Sequence, residues 1–252
     1  SKIGGIPYWD KKREYPKDSD GSKLMLLAQM NLNEIPENQM LPRTGILQFF
    51  ILCDRNYGMA IQESGYPNNT YQVVYHEKID ESITEADVLS IGIKTTGDLE
   101  KENKSVNQQD SNCFPVRGEY AVSFKMEKAY MNDCDVRCDE LLHKIAEELG
   151  VELDSRLEFY QMFDENDKKY VDIHESTYGH RMFGYPHFRQ WDPRGVEAAD
   201  YYDTLLFQLD SDYWKNQWRI LWGDAGVGAF FINSKKLEEL DFGDVLYSWD
   251  CH

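Results

Sequence analysis

Two nearly continuous apolar stretches, each interrupted by one glutamine, dominate the pattern of hydrophobic and polar positions. The first covers residues 24–30 around Gln29, and the second covers residues 205–209 around Gln208. Short apolar runs of this kind are typical of strands that are buried on both faces. A glutamine side chain inside such a strand must be hydrogen-bonded, because burial of an unpaired amide is unfavourable. We therefore expect both glutamines to hold the backbone of a neighbouring loop.

The rest of the pattern predicts further strands and a smaller number of helices. Apolar runs bounded by Gly, Pro and Asp predict strands at residues 46–52, 58–61, 71–76, 121–127, 227–232 and 244–249. The spacing of Leu141, Ile145 and Leu149 predicts an amphipathic helix over residues 136–149. Shorter helices are predicted over residues 155–163 and 234–239, whereas the polar residues 92–112 predict a mobile loop.

The two ends of the chain resemble each other. GIPYW, LLAQM and GILQFFI near the start correspond to GYPHF, LLFQL and GVGAFFI near the end. Two of these pairs are separated by 179 positions and the third by 181. A repeat with this period predicts a duplicated β-rich unit rather than a solenoid. We expect an α+β fold, mostly antiparallel β, in which residues 1–252 form a single domain built of two intimate, related β-rich halves with inserted helices. The first β-rich half is predicted at residues 1–127, the helical bridge at 128–170 and the second half at 171–252.

Several longer motifs carry a resemblance to a known family. GGIPYW, LLAQMNLNEIP and LPRTGILQFFI in the first half, and FGYPHFRQWDPR, LLFQLDSD, WGDAGVGAFFI and LDFGDVLYSWDC in the second, resemble the YwqG-like family of uncharacterised bacterial proteins. The resemblance covers essentially the whole chain. It implies a mainly antiparallel β architecture with inserted helices, and it supplies neither an activity nor catalytic residues.

The chain is strongly acidic, with 27 Lys and Arg against 45 Asp and Glu and a formal net charge of −18. A field of this sign repels nucleic acid and anionic membranes and attracts a basic partner, although it also serves solubility. No apolar run approaches the roughly 18 residues that a membrane span needs. The five cysteines are too sparse for a disulfide scaffold and favour a reducing cytoplasmic location.

These observations favour a non-enzymatic cytosolic binding protein for a basic protein partner, for example an immunity protein that neutralises a toxin. The expected binding residues are Gln29, Gln208, Asp210, Asp212, Trp222 and Asp224. No cofactor is expected, and the catalytic residues and oligomeric state are not assigned. Two alternatives stay open: a metal-dependent hydrolase that uses the segment from His174 to His187, and a housekeeping structural domain.

One group of cysteines and a histidine has a spacing that invites comparison with zinc sites. Cys134, Cys138 and His143 follow the pattern C-x3-C-x4-H. Structural zinc sites usually have a second ligand pair and shorter spacings. Inert, buried cysteines are therefore the simpler interpretation.

Three histidines of the second half form the other group with metal-binding or acid–base potential. His174, His180 and His187 are separated by six and seven residues, which fits neither helix nor strand periodicity. Only a folded loop brings such residues together, because geometry rather than spacing defines these sites. Partly exposed loop histidines are the simpler interpretation, and the sequence assigns no metal site.

Aspartates in the second half suggest either a cation site or turn caps. Asp210 and Asp212 offer carboxylates near the Gly-rich corner that contains Asp224. Asn31 and Asn33 stand at the equivalent positions in the first half, which favours a turn-capping role. The corner sequence WGDAGVG is similar to a phosphate-binding loop. A strand rather than a helix N-terminus follows it, so the sequence does not predict a nucleotide site.

Overall fold

A computed structural model of the protein describes residues 1–59, 67–106, 113–131, 133–154, 156–162 and 167–252. The strands are β1 Lys2–Ile3, β2 Met25–Asn31, β3 Ile46–Ile51, β4 Tyr71–His76, β5 Tyr120–Ala121, β6 Thr204–Asp210, β7 Asp212–Trp214, β8 Gln217–Ile220, β9 Val227–Ile232 and β10 Val245–Asp250. The helices are α1 Glu85–Leu89, α2 Thr96–Val106, α3 Cys138–Glu148, α4 Lys168–Glu175, α5 Gly195–Tyr201 and α6 Ser234–Glu238. The fold is α+β with antiparallel sheets, as predicted. None of the described helices has the length and apolar character required to cross a membrane.

The chain divides into two compact units. Unit 1 comprises residues 1–126, 212–221 and 235–245, and unit 2 comprises residues 127–211, 222–234 and 246–252. The predicted helical bridge, residues 128–170, lies within unit 2. The exact boundaries of the two predicted halves stay a prediction.

A sheet of order β4-β3-β2-β1-β5 forms the centre of unit 1. Its strands β2 and β3 are buried along nearly their whole length, as the continuous apolar sequence of both strands predicts. Trp9, Leu26 and Phe50 belong to the hydrophobic cluster that packs against this sheet. The sheet therefore supplies the rigid part of unit 1.

Gln29 and Gln48 form a polar pair between β2 and β3 that holds Tyr8. Gln29 Oε1 accepts hydrogen bonds from the Tyr8 N–H and from Gln48 Nε2, both at 2.7 Å. Gln48 Nε2 also donates to the Tyr8 carbonyl at 2.7 Å, and Gln48 Oε1 lies 2.8 Å from His76 Nε2. The expectation that Gln29 holds a loop backbone is confirmed, and its partner Gln48 was not singled out from the sequence.

The sheet of unit 2 has the order β10-β9-β6. Strands β6 and β9 pair in antiparallel fashion and are almost entirely buried. Leu205, Ala229 and Phe231 pack with Phe188 in the hydrophobic cluster of this unit. Phe188 thereby anchors the segment that immediately follows His187.

The central strand pairs of the two units share one irregularity. β2 shifts its register against β3 between Leu26 and Ala28, and β6 shifts its register against β9 between Leu205 and Phe207. The two bulges lie 179 positions apart, which is the separation found in the sequence match. Because bulges are retained as designed features within families, this agreement supports the hypothesis of an internal duplication. Superposition of the two strand pairs is its test.

The prediction of a loop over residues 92–112 is wrong for Thr96–Val106, which form α2. A capping box begins this helix: Thr95 Oγ1 accepts from the Asp98 N–H at 3.3 Å, and the Asp98 carboxylate accepts from the Thr95 N–H at 3.1 Å and from its hydroxyl at 2.7 Å. Leu99 is buried and fixes the first turn. The polar composition concealed this capping pattern, which is a helix-start signal. Residues 107–112 of the predicted loop lie outside the described residues.

Other predicted elements are shorter than expected. The strand predicted over residues 121–127 pairs only at β5, because its partner β1 offers two residues. The helix predicted over residues 155–163 is a 3₁₀ turn at Phe159–Met162, with residues 155 and 163 outside the described part of the chain. Of the strand predicted over residues 58–61, residues 60 and 61 also lie outside it, and residues 58 and 59 are not part of a strand. The histidine-rich segment expected to be irregular begins inside α4 and leads into α5.

Helix α3 forms within the predicted range but packs by an unexpected face. Leu141, Ile145 and Leu149, which define the predicted apolar stripe, are 40%, 45% and 73% exposed. The buried residues of the helix are Cys138 and Ala146. The small side chains of Cys138 and Ala146 therefore pack against the rest of unit 2, and the apolar stripe is left accessible to solvent.

Candidate metal centre

Three potential metal ligands converge in unit 2. Cys134 precedes α3, His174 lies in the last turn of α4, and His187 lies between α4 and α5. One ligand atom from each residue lies within 4.8 Å of the other two. Within the described ranges, no other group of His, Cys, Asp and Glu is arranged in this way. Sulfur and imidazole nitrogen are ligands that zinc and copper prefer.

The Cys134 thiol and the His187 imidazole are in direct contact. Sγ of Cys134 lies 3.6 Å from Nδ1 of His187 and 3.8 Å from the Phe188 carbonyl oxygen. Burial raises the pKa of Cys134 to about 11, while burial and the nearby Arg189 lower the pKa of His187 to about 3. At neutral pH the pair is therefore a thiol and a neutral imidazole. The thiolate–imidazolium pair of cysteine nucleophiles is a different state.

His187 is almost completely enclosed. Its relative exposure is 2%, and its Nε2 atom has no hydrogen-bond partner among the described residues. The Tyr178 ring lies against it at a centroid distance of 4.3 Å, and the His174 ring is perpendicular to it at 5.6 Å. The other nitrogen of His187, Nδ1, faces Cys134 and is therefore the atom in position to bind a metal together with the thiol.

A carboxylate orients His174. Its Nδ1 lies 3.1 Å from Asp133 Oδ1, and the Tyr170 hydroxyl donates to Asp133 Oδ2 at 2.8 Å. Burial alone would raise the pKa of Asp133, but the hydrogen bonds from His174 and Tyr170 outweigh it and hold the pKa below its usual value. An ionised carboxylate only accepts hydrogen bonds, so Nδ1 of His174 carries a proton and Nε2 is the nitrogen left to bind a metal. Metal-binding histidines are usually oriented in this way.

Gln208 fixes the segment that carries both histidines. Its Oε1 accepts from the His187 N–H at 2.8 Å, and its Nε2 donates to the carbonyls of Thr177 and Gly179 at 2.9 and 2.8 Å. Thr177 Oγ1 in turn donates to the His174 carbonyl at 2.9 Å. The expectation that Gln208 holds a loop backbone is confirmed, and the loop is the one that connects the candidate ligands.

A buried ion-pair network holds the segment that follows Cys134. The Asp135 carboxylate lies 2.6 Å from Arg137 Nη2 and 3.2 Å from Arg194 Nη2. Arg194 also pairs with Asp192 at 2.6 Å, and Asp192 accepts from the Val136 N–H at 3.2 Å. Because each buried charge has an opposite partner, the network is tolerated in the interior and restricts the position of Cys134.

A cavity of about 490 Å³ opens beside the three candidate ligands. Cys134, His174 and His187 line it together with Arg189 and the largely exposed Trp191. Its volume falls within the range of small-molecule sites, about 300–1,000 Å³. A ligand held by the three residues would therefore be accessible from this cavity.

His180 and Asp210 lie apart from the centre and bind each other. The Asp210 N–H donates to His180 Nδ1 at 3.1 Å. The Asp210 carboxylate accepts from the Gly179 N–H at 3.0 Å and lies 3.2 Å from Arg189 Nη2. Of the three histidines that the sequence suggests as a group, only His174 and His187 belong to the centre, and Cys134 is the third ligand. The residues of the C-x3-C-x4-H pattern do not form one site, because only Cys134 belongs to the centre and His143 Nε2 lies 3.0 Å from the Leu157 carbonyl.

The other expected binding residues have separate local roles. Asp212 forms an ion pair with Arg219 at 2.5 Å, and Asp224 is exposed. Trp222 is fully buried, and its ring would collide with a side chain at Gly228. None of these three belongs to the described metal-ligand group. Their binding role, like that of Gln29, Gln208 and Asp210, stays a prediction.

The fold and the centre together define an α+β protein with a Cys–His–His cluster beside a cavity. Over residues 1–251 the chain matches the family described as "Domain of unknown function (DUF1963)", and it belongs to that family. A search of curated proteins found no match. The family description supplies no activity.

Proposed function

We propose that unit 2 binds one transition-metal ion, zinc by its donor set, through Cys134, His174 and His187, and that the protein is a metal-dependent hydrolase. The observation that carries the proposal is the convergence of the three ligand atoms within 4.8 Å. Tetrahedral zinc has Zn–S and Zn–N distances of about 2.3 and 2.0 Å, which place its donors about 3.5 Å apart. The Cys134–His187 separation of 3.6 Å already matches this value.

The supporting contacts favour a metal over an ordinary buried cluster. Asp133 Oδ1 accepts a hydrogen bond from His174 Nδ1, which leaves Nε2 of His174 for the ion. Gln208 and the Asp135 network restrict the backbone on either side of the ligands. Both thiolate and imidazole suit zinc, while the same donor set also occurs in copper sites. Metal analysis distinguishes these two ions.

Hydrolysis is the reaction that an open zinc centre supports. Zinc held by Cys134, His174 and His187 would supply a water activated for hydrolysis. The cavity of about 490 Å³ would give a substrate access to these residues. Asp139 and His252 line the same cavity and place a carboxylate and a further imidazole beside the ligands.

The proposal predicts that the full chain, purified without chelator, contains close to one equivalent of zinc. Chelator treatment followed by zinc chloride is expected to restore both metal content and hydrolysis in a panel of p-nitrophenyl acetate, p-nitrophenyl phosphate and a fluorogenic peptide. Mass spectrometry of total metal and initial rates are the measurements, and magnesium chloride is the control, because a thiolate site disfavours it. Substoichiometric binding of every transition metal would refute the centre. Zinc binding without turnover would refute only the hydrolase.

A second candidate function, a binding protein for a basic protein partner, is favoured by the exposed face of α3. Its apolar stripe, Leu141, Ile145 and Leu149, is solvent-accessible and is flanked by the exposed Glu140 and Glu147. An apolar stripe with acidic edges complements a basic amphipathic helix. The net charge of −18 would steer such a partner towards the protein.

The binding candidate predicts a salt-sensitive association that depends on α3. The double change Glu140→Lys and Glu147→Lys is expected to slow association as strongly as high salt does, because exposed charges act through screened electrostatics. The thermal midpoint should hardly change, since isolated surface charges contribute little to stability. Surface plasmon resonance with a captured basic partner is the measurement, and Glu77→Lys with Glu81→Lys in unit 1 is the matched control. Equal effects of both variants would contradict a role for α3.

We further infer that the chain is a YwqG-like member of its family and acts in the bacterial cytosol. The motifs that run from GGIPYW to LDFGDVLYSWDC support the first part. The second part is supported by the five cysteines, all of which are free thiols.

A further inference from the structure

An exposed tryptophan lies on the lining of the cavity in unit 2. Trp191 is 70% exposed, although it is one of the largest apolar side chains of the protein. Among the described residues, neither a stacked ring nor a cation lies against its indole. A tyrosine on the same lining, Tyr178, already has the Arg189 guanidinium over its ring at 5.6 Å from the centroid. Trp191 therefore presents an aromatic surface that a ligand in the cavity can reach.

The backbone on both sides of Trp191 is held in place. The Gln190 N–H donates to Asp250 Oδ2 at 2.7 Å, and the Asp192 carboxylate lies 2.6 Å from Arg194 Nη2. Both anchors are part of unit 2. Because the segment is already ordered, a ligand that contacts the indole loses little of its affinity to ordering the protein.

The charged side chains of the cavity are mostly carboxylates. The Asp, Glu, Lys and Arg residues on its lining are Asp133, Asp135, Asp139, Asp192 and Arg189. Arg189 is paired with Asp210 at 3.2 Å, so its positive charge is offset. The buried arginines of the ion-pair network offset Asp135 and Asp192. Two carboxylates of the lining are left without an arginine or lysine partner in the described part of the chain.

These two carboxylates, Asp133 and Asp139, have different roles. Asp133 serves His174 of the candidate metal centre, and a zinc ion on the Cys134 thiolate would add one net positive charge that Asp133 offsets. Asp139 Oδ1 accepts a hydrogen bond from the Phe159 N–H at 2.7 Å, which fixes the carboxylate without neutralising it. Asp139 therefore gives the cavity one negative charge that no cation offsets.

We propose that the cavity binds an alkylammonium group, with the cation over the Trp191 indole and the Asp139 carboxylate beside it. Tryptophan is the most effective aromatic side chain for binding cations, and a carboxylate adds direct charge attraction. A cavity of about 490 Å³ has room for a lysine side chain that reaches both residues.

The substrates that follow for the proposed hydrolase are peptides with a lysine side chain. This last step rests on the proposed function, whereas the cation site itself does not. The net charge of −18 supports the same preference, because it raises the concentration of cations around the protein.

The test compares two probes that differ only in the ammonium group, N-acetyl-lysine methylamide and N-acetyl-norleucine methylamide. Each is titrated into the full chain with ¹⁵N-labelled tryptophan, both zinc-loaded and chelator-treated. One of the six indole N–H signals belongs to Trp191 and is identified by its loss in Trp191→Phe. We expect the lysine probe to shift this signal in a saturable manner and to bind at least about fivefold more tightly than the norleucine probe.

Variants assign the binding to the two residues. Trp191→Ala and Asp139→Asn should each weaken the lysine probe several-fold, and Asp139→Asn should hardly affect the norleucine probe. Trp214→Ala, at an exposed tryptophan of unit 1, and Asp172→Asn, at an exposed aspartate of α4, are the matched controls and should change neither affinity. Ligand-observed NMR measures these affinities, because it tolerates weak binding.

Two results would overturn the cation site: equal affinities of the wild type for the two probes, or a lysine affinity that Trp191→Ala leaves unchanged. Failure of the hydrolase looks different. A chain that holds no zinc but still prefers the lysine probe retains the cation site and loses the proposed function. A zinc-loaded chain that hydrolyses lysine and norleucine peptides equally, and binds both probes equally, retains the hydrolase and loses the cation site.

Discussion

Zinc content is expected to fall from about one equivalent to near zero when any one of Cys134, His174 or His187 is replaced. With two ligands left, a zinc site loses at least about 100-fold in affinity, because even groups that only orient a ligand contribute about 10–100-fold. The informative variants are Cys134→Ser, His174→Ala and His187→Ala. Competition with a chromophoric chelator measures the affinity, and mass spectrometry measures the metal retained.

His180→Ala is the matched control for these variants. His180 lies on the same segment, but its Nδ1 accepts the Asp210 N–H and its side chain is not among the three convergent ligands. Its replacement should leave the zinc content unchanged. Asp133→Asn should give an intermediate loss of about 10–100-fold, since the amide no longer holds the His174 proton as firmly. Equal losses in His180→Ala and His174→Ala would contradict the assigned ligands.

Stability offers a readout of the same site that does not depend on turnover. An ion that binds only the folded chain, at about 100 times its dissociation constant, raises the free energy of unfolding by about 2.7 kcal/mol. Zinc should therefore raise the thermal midpoint of the wild type and of His180→Ala. His187→Ala should show no such increase.

The buried strands and their glutamines were predictable because their signals are local. Continuous apolar residues identify β2 and β6, and the unfavourable burial of an amide predicts that Gln29 and Gln208 are hydrogen-bonded. Helix α2 was missed because its polar composition outweighed the short capping pattern at Thr95 and Asp98. The exposed stripe of α3 was missed because periodicity indicates an apolar face but does not show that a surface is available to cover it.

The candidate metal centre was only partly predictable. The sequence drew attention to Cys134, His174 and His187, but it placed them in two separate groups with Cys138, His143 and His180. The ligands come from three separate places along the chain, and packing rather than spacing brings them together. The contact of Asp133 with His174 was not predicted, because no sequence pattern encodes it. The clearest available signal was Gln208, since a buried glutamine indicates a loop that must be held in one conformation.

Gln208→Leu is expected to lower both the stability of the protein and its affinity for zinc. Gln208 is fully buried and serves three backbone groups, at Thr177, Gly179 and His187. Leucine satisfies none of them, and each buried polar group left unpaired costs about 1–3 kcal/mol. A loss of at least about 2 kcal/mol in the free energy of unfolding should appear in a denaturant melt. Gln72→Leu, on the exposed side of β4, is the control for the change of side chain and should be close to neutral.

The zinc affinity separates a general loss of stability from a role in positioning the ligands. Gln208 binds the His187 N–H directly and reaches the His174 carbonyl through Thr177, so its loss loosens the segment between the two histidines. Zinc affinity should therefore fall by about 10–100-fold even under conditions where the variant is fully folded. Gln48→Leu, which removes an equally buried amide from unit 1, should destabilise the protein but leave the zinc affinity unchanged, because its partners are Tyr8, Gln29 and His76. If both variants weaken zinc binding equally, the effect reflects stability alone. If neither does, the contact between Gln208 and His187 does not position the centre.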